Sequence, residues 1–237
     1  ERRARQWQVA RGLRGGRGVG RATAESVPVK ALRESYLATS GPSVISAPTG
    51  GGKSTQVARW AAQRGPVVVV EPRRVACRAL ASRVASLEGS ALGKRIGYQV
   101  RDENRISPDT VVRFVTPGIA LRQMNALKET PTVILDELHE RRLDVDLLLA
   151  LLMNAPNTQL VAMSATLDGP RVAAHLGGTL LQADGRLHPV DIRHHDAGET
   201  LPNPRDLDRR IADVVRTPAA PCHVLAYLPA PADSAAS

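Results

Sequence analysis

Residues 47–54 are the part of the chain best suited to chemistry; they read APTGGGKS and lie between an apolar run and a helical pattern. Three successive glycines allow a tight turn whose N–H groups point at phosphate oxygens, and the following helix adds a partial positive charge. In such a loop Lys53 reaches the terminal phosphates of a nucleoside triphosphate, and the Ser54 hydroxyl is a ligand for Mg²⁺. Ala47 stands where the common pattern has Gly. The segment predicts a phosphate-binding loop, in preference to a flexible turn beside a surface lysine.

Two adjacent carboxylates, Asp136 and Glu137, directly follow a second apolar run, Val133–Leu135. In open α/β sheets, ligands bind at the carboxyl ends of the strands. Asp136 is therefore placed to hold Mg²⁺, directly or through water, and Glu137 to polarise an attacking water. The alternative is a helix N-cap at Asp136 followed by solvated charges. The phosphate-binding loop earlier in the chain favours the first interpretation.

These side chains need a scaffold of alternating strands and helices. The apolar runs expected to be strands are Ser43–Ala47, Val67–Glu71, Val111–Val115, Thr132–Asp136 and Gln159–Met163. The helical patterns between and after them are Lys53–Gln63, Arg73–Leu87, Pro117–Leu127, Asp144–Asn154 and Pro170–Leu176. The second helix is expected to place Val75, Ala79, Val84 and Leu87 on repeating turns. This alternation predicts an α/β fold with a mainly parallel sheet flanked by helices.

The positive charge of the chain is concentrated at its start. The 237 residues carry 32 Lys and Arg against 23 Asp and Glu, a net charge of +9. Residues 1–33 hold nine basic and two acidic side chains, which gives +7 and leaves +2 for the remainder. Residues 1–25 are rich in Gly and Arg and are expected to be a disordered basic arm that suits a polyanion. The alternative is a merely solubilising extension.

Composition excludes several protein classes. Hydrophobic residues make up 43% and charged residues 23% of the chain, as is usual for globular proteins. Two cysteines, Cys77 and Cys222, cannot build a disulfide framework, so a reducing, cytoplasmic location is expected. No apolar run approaches the roughly 18 residues of a membrane helix, and no apolar segment near the start resembles a secretory signal.

The organisation along the chain predicts one whole domain and the beginning of another. After the basic arm, residues 26–183 carry the strand–helix alternation. Residues 184–237 contain a Pro- and Asp-rich linker, one helical pattern (Leu207–Arg216) and one apolar run (His223–Leu228). A single helix and a single strand cannot bury their own apolar faces. We therefore expect this last region to be a linker and the truncated start of a second domain.

The two chemical motifs together resemble those of superfamily 2 helicases of the DEAH-box class, most of all the bacterial Hrp-type RNA helicases. Five ordered segments carry the resemblance beyond the loop: Glu71–Ala76 (motif Ia), Gly97–Arg101, Thr116–Gly118 (motif Ib), Asp136–His139 (motif II) and Ser164–Thr166 (motif III). Residues 185–190 and 224–229 resemble the bridge and first strand of the second motor domain. Two positions depart from the family pattern: Leu138 replaces the nominal Ala, and Pro117 replaces a usual acidic residue.

The resemblance implies a RecA-like P-loop NTPase domain, an incomplete second RecA-like domain, and ATP-dependent translocation on, or remodelling of, RNA. The implied ATP and Mg²⁺ site consists of Thr49, Gly50, Gly51, Gly52, Lys53, Ser54, Thr55, Asp136 and Glu137. Among these residues and their neighbours, catalytic roles are implied for Lys53, Glu137 and His139. The implied contacts to RNA phosphates are Arg73, Arg74 and Thr116, and the implied coupling partners of His139 are Ser164 and Thr166.

The family's later motifs, which include its arginine finger, have no counterpart after Leu228. We therefore expect this chain alone to bind nucleotide weakly, to hydrolyse it poorly and not to unwind RNA, with a second chain or a missing C-terminal half completing the ATP site. One alternative is a non-catalytic nucleic-acid-binding remnant that acts through its basic arm. Another is a P-loop NTPase that acts on something else, which Arg73-Arg74 and the Ser164–Thr166 segment disfavour.

Overall fold

A computed structural model describes residues 27–165 and 169–183. The expected basic arm, the linker with the start of a second domain, and Thr166 lie outside the described residues. The strands are β1 (Ser43–Ser46), β2 (Val67–Val70), β3 (Ile96–Val100), β4 (Glu103–Arg105), β5 (Val112–Val115), β6 (Thr132–Leu135), β7 (Gln159–Ser164) and β8 (Thr179–Gln182). The helices are α1 (Arg33–Ala38), α2 (Lys53–Ala61), α3 (Arg74–Leu87), α4 (Pro117–Arg122), α5 (Met124–Lys128), α6 (Leu143–Leu152) and α7 (Gly169–Leu176), with short 3-10 helices at Pro28–Leu32 and Leu138–Glu140.

Among the described residues, the strands form one eight-stranded sheet in the order β4-β3-β5-β2-β6-β7-β1-β8. Every pairing is parallel except that of β3 with β4. This confirms the predicted α/β fold with a mainly parallel sheet. Because parallel strands need a crossover on a face of the sheet, the helices cover both sides.

Two apolar layers hold the helices on the sheet. Alternate side chains of β2 show the division, since Val67 and Val69 face the layer under α1–α3, and Val68 and Val70 face the layer under α4–α7. All four valines are buried, which explains why the strand reads as a continuous apolar run without polar alternation. Burial of each such side chain stabilises the fold by about 1.5–3 kcal/mol.

Three details of the sequence-based predictions were wrong. The expected helix Pro117–Leu127 is two helices, α4 and α5, because Gln123 leaves the helical conformation with φ −110° and ψ 26°. Of the side chains expected on the repeating turns of α3, Val75 (74% exposed) and Ala79 are exposed, whereas Val84 is buried; Cys77 and Ala81 are buried beside it. The strands β3, β4 and β8 were not predicted.

The parallel arrangement brings five loops to one edge of the sheet. These loops follow the carboxyl ends of β1, β2, β5, β6 and β7 and contain the glycine-rich segment, Glu71–Arg73, Thr116, Asp136–Glu137 and Ala165. Open α/β sheets bind their ligands at this edge. None of the helices within 27–165 and 169–183 is long and apolar enough to cross a membrane.

Candidate nucleotide site and adjoining basic groove

The glycine-rich loop joins β1 to α2 and requires glycine for steric reasons. Gly52, the N-cap of α2, has φ +82°, and a Cβ built there would lie 2.9 Å from Val27 Cγ2. A Cβ on Gly51 would lie 2.8 Å from the carbonyl oxygen of Pro48, to which the Gly51 N–H donates a hydrogen bond of 3.0 Å. The loop can therefore keep this tight turn only without side chains at these positions. Its backbone N–H groups and the start of α2 form a cradle suited to phosphate.

Lys53 is held beneath this loop. Lys53 is only 6% exposed. Its ammonium donates hydrogen bonds to the carbonyl oxygens of Ala47 (2.5 Å) and Pro48 (3.1 Å). Burial lowers the pKa of Lys53, and the carboxylates of Asp136 and Glu137 act in the opposite direction. The geometry thus places a cation directly at the phosphate cradle and within the field of both carboxylates.

Asp136 presents a buried carboxylate to the same place. The residue has no exposed surface; its Oδ1 accepts a hydrogen bond of 2.9 Å from the Glu137 N–H, whereas Oδ2 has no hydrogen-bond partner within the described residues. Burial raises the pKa of Asp136 to about 6, although the nearby Ser54 hydroxyl lowers it. An unpaired buried carboxylate oxygen is costly unless a cation or a proton meets it.

These donors fit Mg²⁺. A carboxylate oxygen and a hydroxyl are hard oxygen ligands, which Mg²⁺ prefers, and this ion is usually held by one or two protein groups together with phosphate oxygens and water. Among the described residues there is no cluster of three His, Cys, Asp or Glu side chains that would hold a metal by itself. Asp136 and Ser54 therefore suit a metal that arrives with a nucleotide.

Glu137 occupies a strained position next to His139. The backbone of Glu137 is left-handed, with φ 53° and ψ 36°, which is uncommon outside glycine and favours a functional explanation. His139 Nε2 lies 3.2 Å from Glu137 Oε2, and His139 Nδ1 is buried without a hydrogen-bond partner within the described residues. The imidazole can therefore orient the carboxylate expected to polarise water.

The expected coupling segment lies close to this turn. Strand β7, which ends at the buried Ser164, packs against the 3-10 turn that contains His139. Ser164 also accepts, through its carbonyl oxygen, a 3.3 Å hydrogen bond from the N–H of Ala47 at the start of the glycine-rich loop. This strand end thus connects both halves of the nucleotide site.

A cavity of about 320 Å³ opens over the loop and contains residues that sequence reasoning missed. Thr49–Gln56 and Glu137 form one side of it, and Val27, Leu80, Arg83 and Leu87 line the rest. The three from α3 are spaced i, i+3 and i+7, so they share one helix face. This spacing was visible in the sequence, but nothing local indicated that α3 would face the loop.

Glu71 is another residue that sequence reasoning missed. It follows β2, the neighbour of β6 in the sheet, and is only 3% exposed. Burial first, and then the negative charge of Asp136, raises the pKa of Glu71 to about 8, while a hydrogen bond from the Arg73 N–H (3.2 Å) acts in the opposite direction. Glu71 therefore belongs to the same group of interacting carboxylates as Asp136.

The expected RNA-contact residues lie beside this site but do not all point the same way. Arg74 and Thr116 line a groove of about 230 Å³ that also contains Arg101, Arg122 and Arg142. Within this basic groove the one acidic residue is Asp144, which pairs with Arg142 at 3.2 Å. Arg73 does not line the groove; its guanidinium pairs with the Glu140 carboxylate. Arg101, Arg122 and Arg142 come from separate segments of the chain, so the sequence alone did not indicate that they share a groove.

The chain is similar to known helicases. Residues 30–174 match the family described as DEAD/DEAH box helicase. The chain is 37% identical over 185 residues to the ATP-dependent RNA helicase HrpB of Escherichia coli (strain K12), covering 71% of this chain and 23% of HrpB. It is 33% identical over 186 residues to the ATP-dependent RNA helicase HrpA of the same organism, covering 73% of this chain and 14% of HrpA.

A mammalian relative and a solved structure extend the likeness. The probable ATP-dependent RNA helicase DHX34 of Mus musculus is 36% identical over 179 residues, covering 70% of this chain and 16% of DHX34. The crystal structure of the Escherichia coli DEAH/RHA helicase HrpB superposes with a TM-score of 0.72 and 33% identity, over 82% of this chain and 27% of that one. The chain thus spans less than a quarter of the length of these curated relatives. It belongs to the DEAD/DEAH box helicase family.

Proposed function

We propose that this chain is the nucleotide-binding motor part of an ATP-dependent RNA helicase of the DEAH type. The observation that carries the proposal is the shared sheet edge, where the phosphate cradle, the Asp136–Glu137 pair and a groove of arginines lie side by side. The relatives described above are named as ATP-dependent RNA helicases. Because a nucleotide site then adjoins a site for the RNA phosphate backbone, nucleotide binding can be coupled to RNA binding.

The nucleotide half of the proposal assigns each side chain a task. The loop N–H groups and Lys53 bind the phosphates, with Thr49 and Thr55 at the rim of the same cavity. Ser54 and Asp136 would hold Mg²⁺, which when bound neutralises charge on the phosphates. Glu137, oriented by His139, accepts a proton from the attacking water.

The remaining cavity wall suits a nucleoside. Leu80 and Leu87 provide apolar surface beside the exposed guanidinium of Arg83. A planar guanidinium stacks well on an aromatic base, and apolar neighbours exclude water from the stacked faces. Since these contacts read no base edge, we expect the site to accept different nucleoside triphosphates, with ATP as the usual one.

The nucleic-acid half rests on charge. Arg74, Arg101 and Arg122 present exposed cations in one groove, and Thr116 adds a hydroxyl. Such contacts bind phosphates and give affinity without sequence preference. Aromatic residues are only 3% of the chain, so backbone electrostatics rather than base stacking should dominate the binding.

The test is RNA affinity measured with and without nucleotide. Fluorescence anisotropy of a labelled single-stranded RNA should show an affinity that changes when ATP and Mg²⁺ are added to the wild-type chain. The change should disappear in Lys53→Ala, which removes the phosphate-binding cation but leaves the basic groove intact. An RNA affinity that ignores nucleotide in the wild type, and that is lost on deletion of residues 1–25, would contradict the proposal and support a nucleic-acid-binding remnant.

A further inference from the structure

Arg73 is fixed by two acidic residues at the edge of the nucleotide site. Its guanidinium pairs with the Glu140 carboxylate, although its side chain is 71% exposed and the Glu140 side chain 21% exposed. Its backbone N–H donates to Glu71 Oε1 at 3.2 Å. Arg73 donates through one guanidinium nitrogen, Nη2, to Glu140 Oε1, and a phosphate would compete with this carboxylate for the same donor.

Glu140 is mechanically connected to Glu137. The two residues are the ends of one short turn, closed by a 2.9 Å hydrogen bond from the Glu140 N–H to the Glu137 carbonyl oxygen. The turn is bracketed by two left-handed non-glycine residues, Glu137 (φ 53°) and Arg141 (φ 50°), and is anchored by the buried Leu138. Left-handed backbone at such residues persists only where surrounding packing imposes it. A rearrangement at Glu137 would therefore alter the position of the Glu140 carboxylate.

We propose that Glu140 is a positioning residue for Arg73, which it holds out of the basic groove until nucleotide engages Glu137. This inference rests on the proposed function, since it needs both a nucleotide at Glu137 and RNA phosphates in the groove. In the arrangement seen here, Arg74 faces the groove and Arg73 does not. Release of Arg73 would add one phosphate contact and so link the nucleotide state to RNA affinity.

The test is a double-mutant cycle with Glu140→Gln and Arg73→Gln, read by anisotropy of a labelled single-stranded RNA. Without nucleotide, Glu140→Gln should tighten RNA binding about two- to fivefold, because the pair it breaks is an exposed one. The slope of log affinity against log salt should steepen by about 0.7, as expected for one added phosphate contact on a single strand. In the Arg73→Gln background the same substitution should change nothing, and the nucleotide-dependent change in RNA affinity should shrink in Glu140→Gln.

A matched control is Glu88→Gln, which removes one negative charge and breaks the 2.5 Å ion pair with Arg59 at the far end of α2. It should leave RNA affinity unchanged. If Glu140→Gln raises RNA affinity equally with and without Arg73, the cause is a general charge effect and the inference is overturned. No rise in RNA affinity at all would overturn it as well. If Lys53-dependent nucleotide binding and Arg74-dependent RNA binding remain intact in that case, the proposed function survives. If nucleotide does not change the RNA affinity of the wild type, both the proposed function and the role of Glu140 are overturned.

Discussion

Glu71→Gln should abolish a large pH dependence of folding stability. Glu71 is buried, and its pKa stands at about 8 against an ordinary value of 4.5. Between these values the folded chain keeps a proton on Glu71 that the unfolded chain releases, so stability falls as the pH rises. The contribution is complete below about pH 4.5 and is lost as the pH rises through 8. Gln keeps the shape and can accept the hydrogen bond from the Arg73 N–H, but it has no proton to lose.

The two pKa values set the expected size of the effect. Between roughly pH 5.5 and 8.5, ionisation of Glu71 should cost the wild type about 3 kcal/mol of unfolding free energy. The free energy of unfolding of a small domain is about 5–15 kcal/mol in total, so this loss is easily measured. Asp136, with a pKa of about 6, contributes a further loss in the same direction. Because Asp136 is present in both proteins, the difference between them measures the ionisation of Glu71 together with its interaction with Asp136.

The assay is urea unfolding at several pH values, followed by circular dichroism. The wild-type stability should fall more steeply with pH than that of Glu71→Gln, and the two curves should diverge by about 3 kcal/mol over the range. Glu88→Gln replaces an exposed acid at the end of α3; it serves as control and should follow the wild type. Parallel curves for wild type and Glu71→Gln would show that burial does not keep Glu71 protonated in the folded chain.

Two further predictions concern the nucleotide site. Gly52→Ala places a Cβ 2.9 Å from Val27 Cγ2 at a φ of +82°, so it should cost about 1–2 kcal/mol of stability in thermal unfolding and weaken nucleotide binding. Gly118→Ala, whose Cβ would meet nothing within 4 Å, should do neither. Glu137→Gln should retain nucleotide binding, because Lys53, Ser54 and Asp136 are unchanged, but slow any RNA-stimulated phosphate release by roughly 10²–10⁴-fold. RNA-stimulated phosphate release above background that is equal in both proteins would contradict the role of Glu137.

Much of the scaffold was predictable because its signals are local. Five strands of the parallel sheet (β1, β2, β5, β6 and β7) read as short apolar runs, and the bounds predicted for each lie within one residue of the observed ones. The glycine-rich loop and the Asp136–Glu137 pair are contiguous in sequence. The topology then brings them to one edge, because parallel strands separated by helices place all their carboxyl ends on the same side.

What sequence reasoning missed depends on tertiary contacts. Strand β4 consists of Glu103–Arg105, and an edge strand of polar residues carries no apolar signal. The break at Gln123 accompanies a 3.2 Å hydrogen bond from its side-chain amide to Gln99, 24 residues away. The roles of Glu71 and Arg83 likewise follow from which strand or helix lies next to the loop, a fact that no local pattern contains.

The most direct test of the account is calorimetric titration of ATP with Mg²⁺ into the wild type and Lys53→Ala. The buried ammonium of Lys53 lies at the phosphate cradle, and a hydrogen bond to a charged group is worth about 1.5–3 kcal/mol. The substitution should therefore weaken binding by roughly 10- to 100-fold. Lys94→Ala, an exposed lysine before β3, should bind like the wild type. Equal affinities for wild type and Lys53→Ala would contradict the claim that this loop binds nucleotide phosphates.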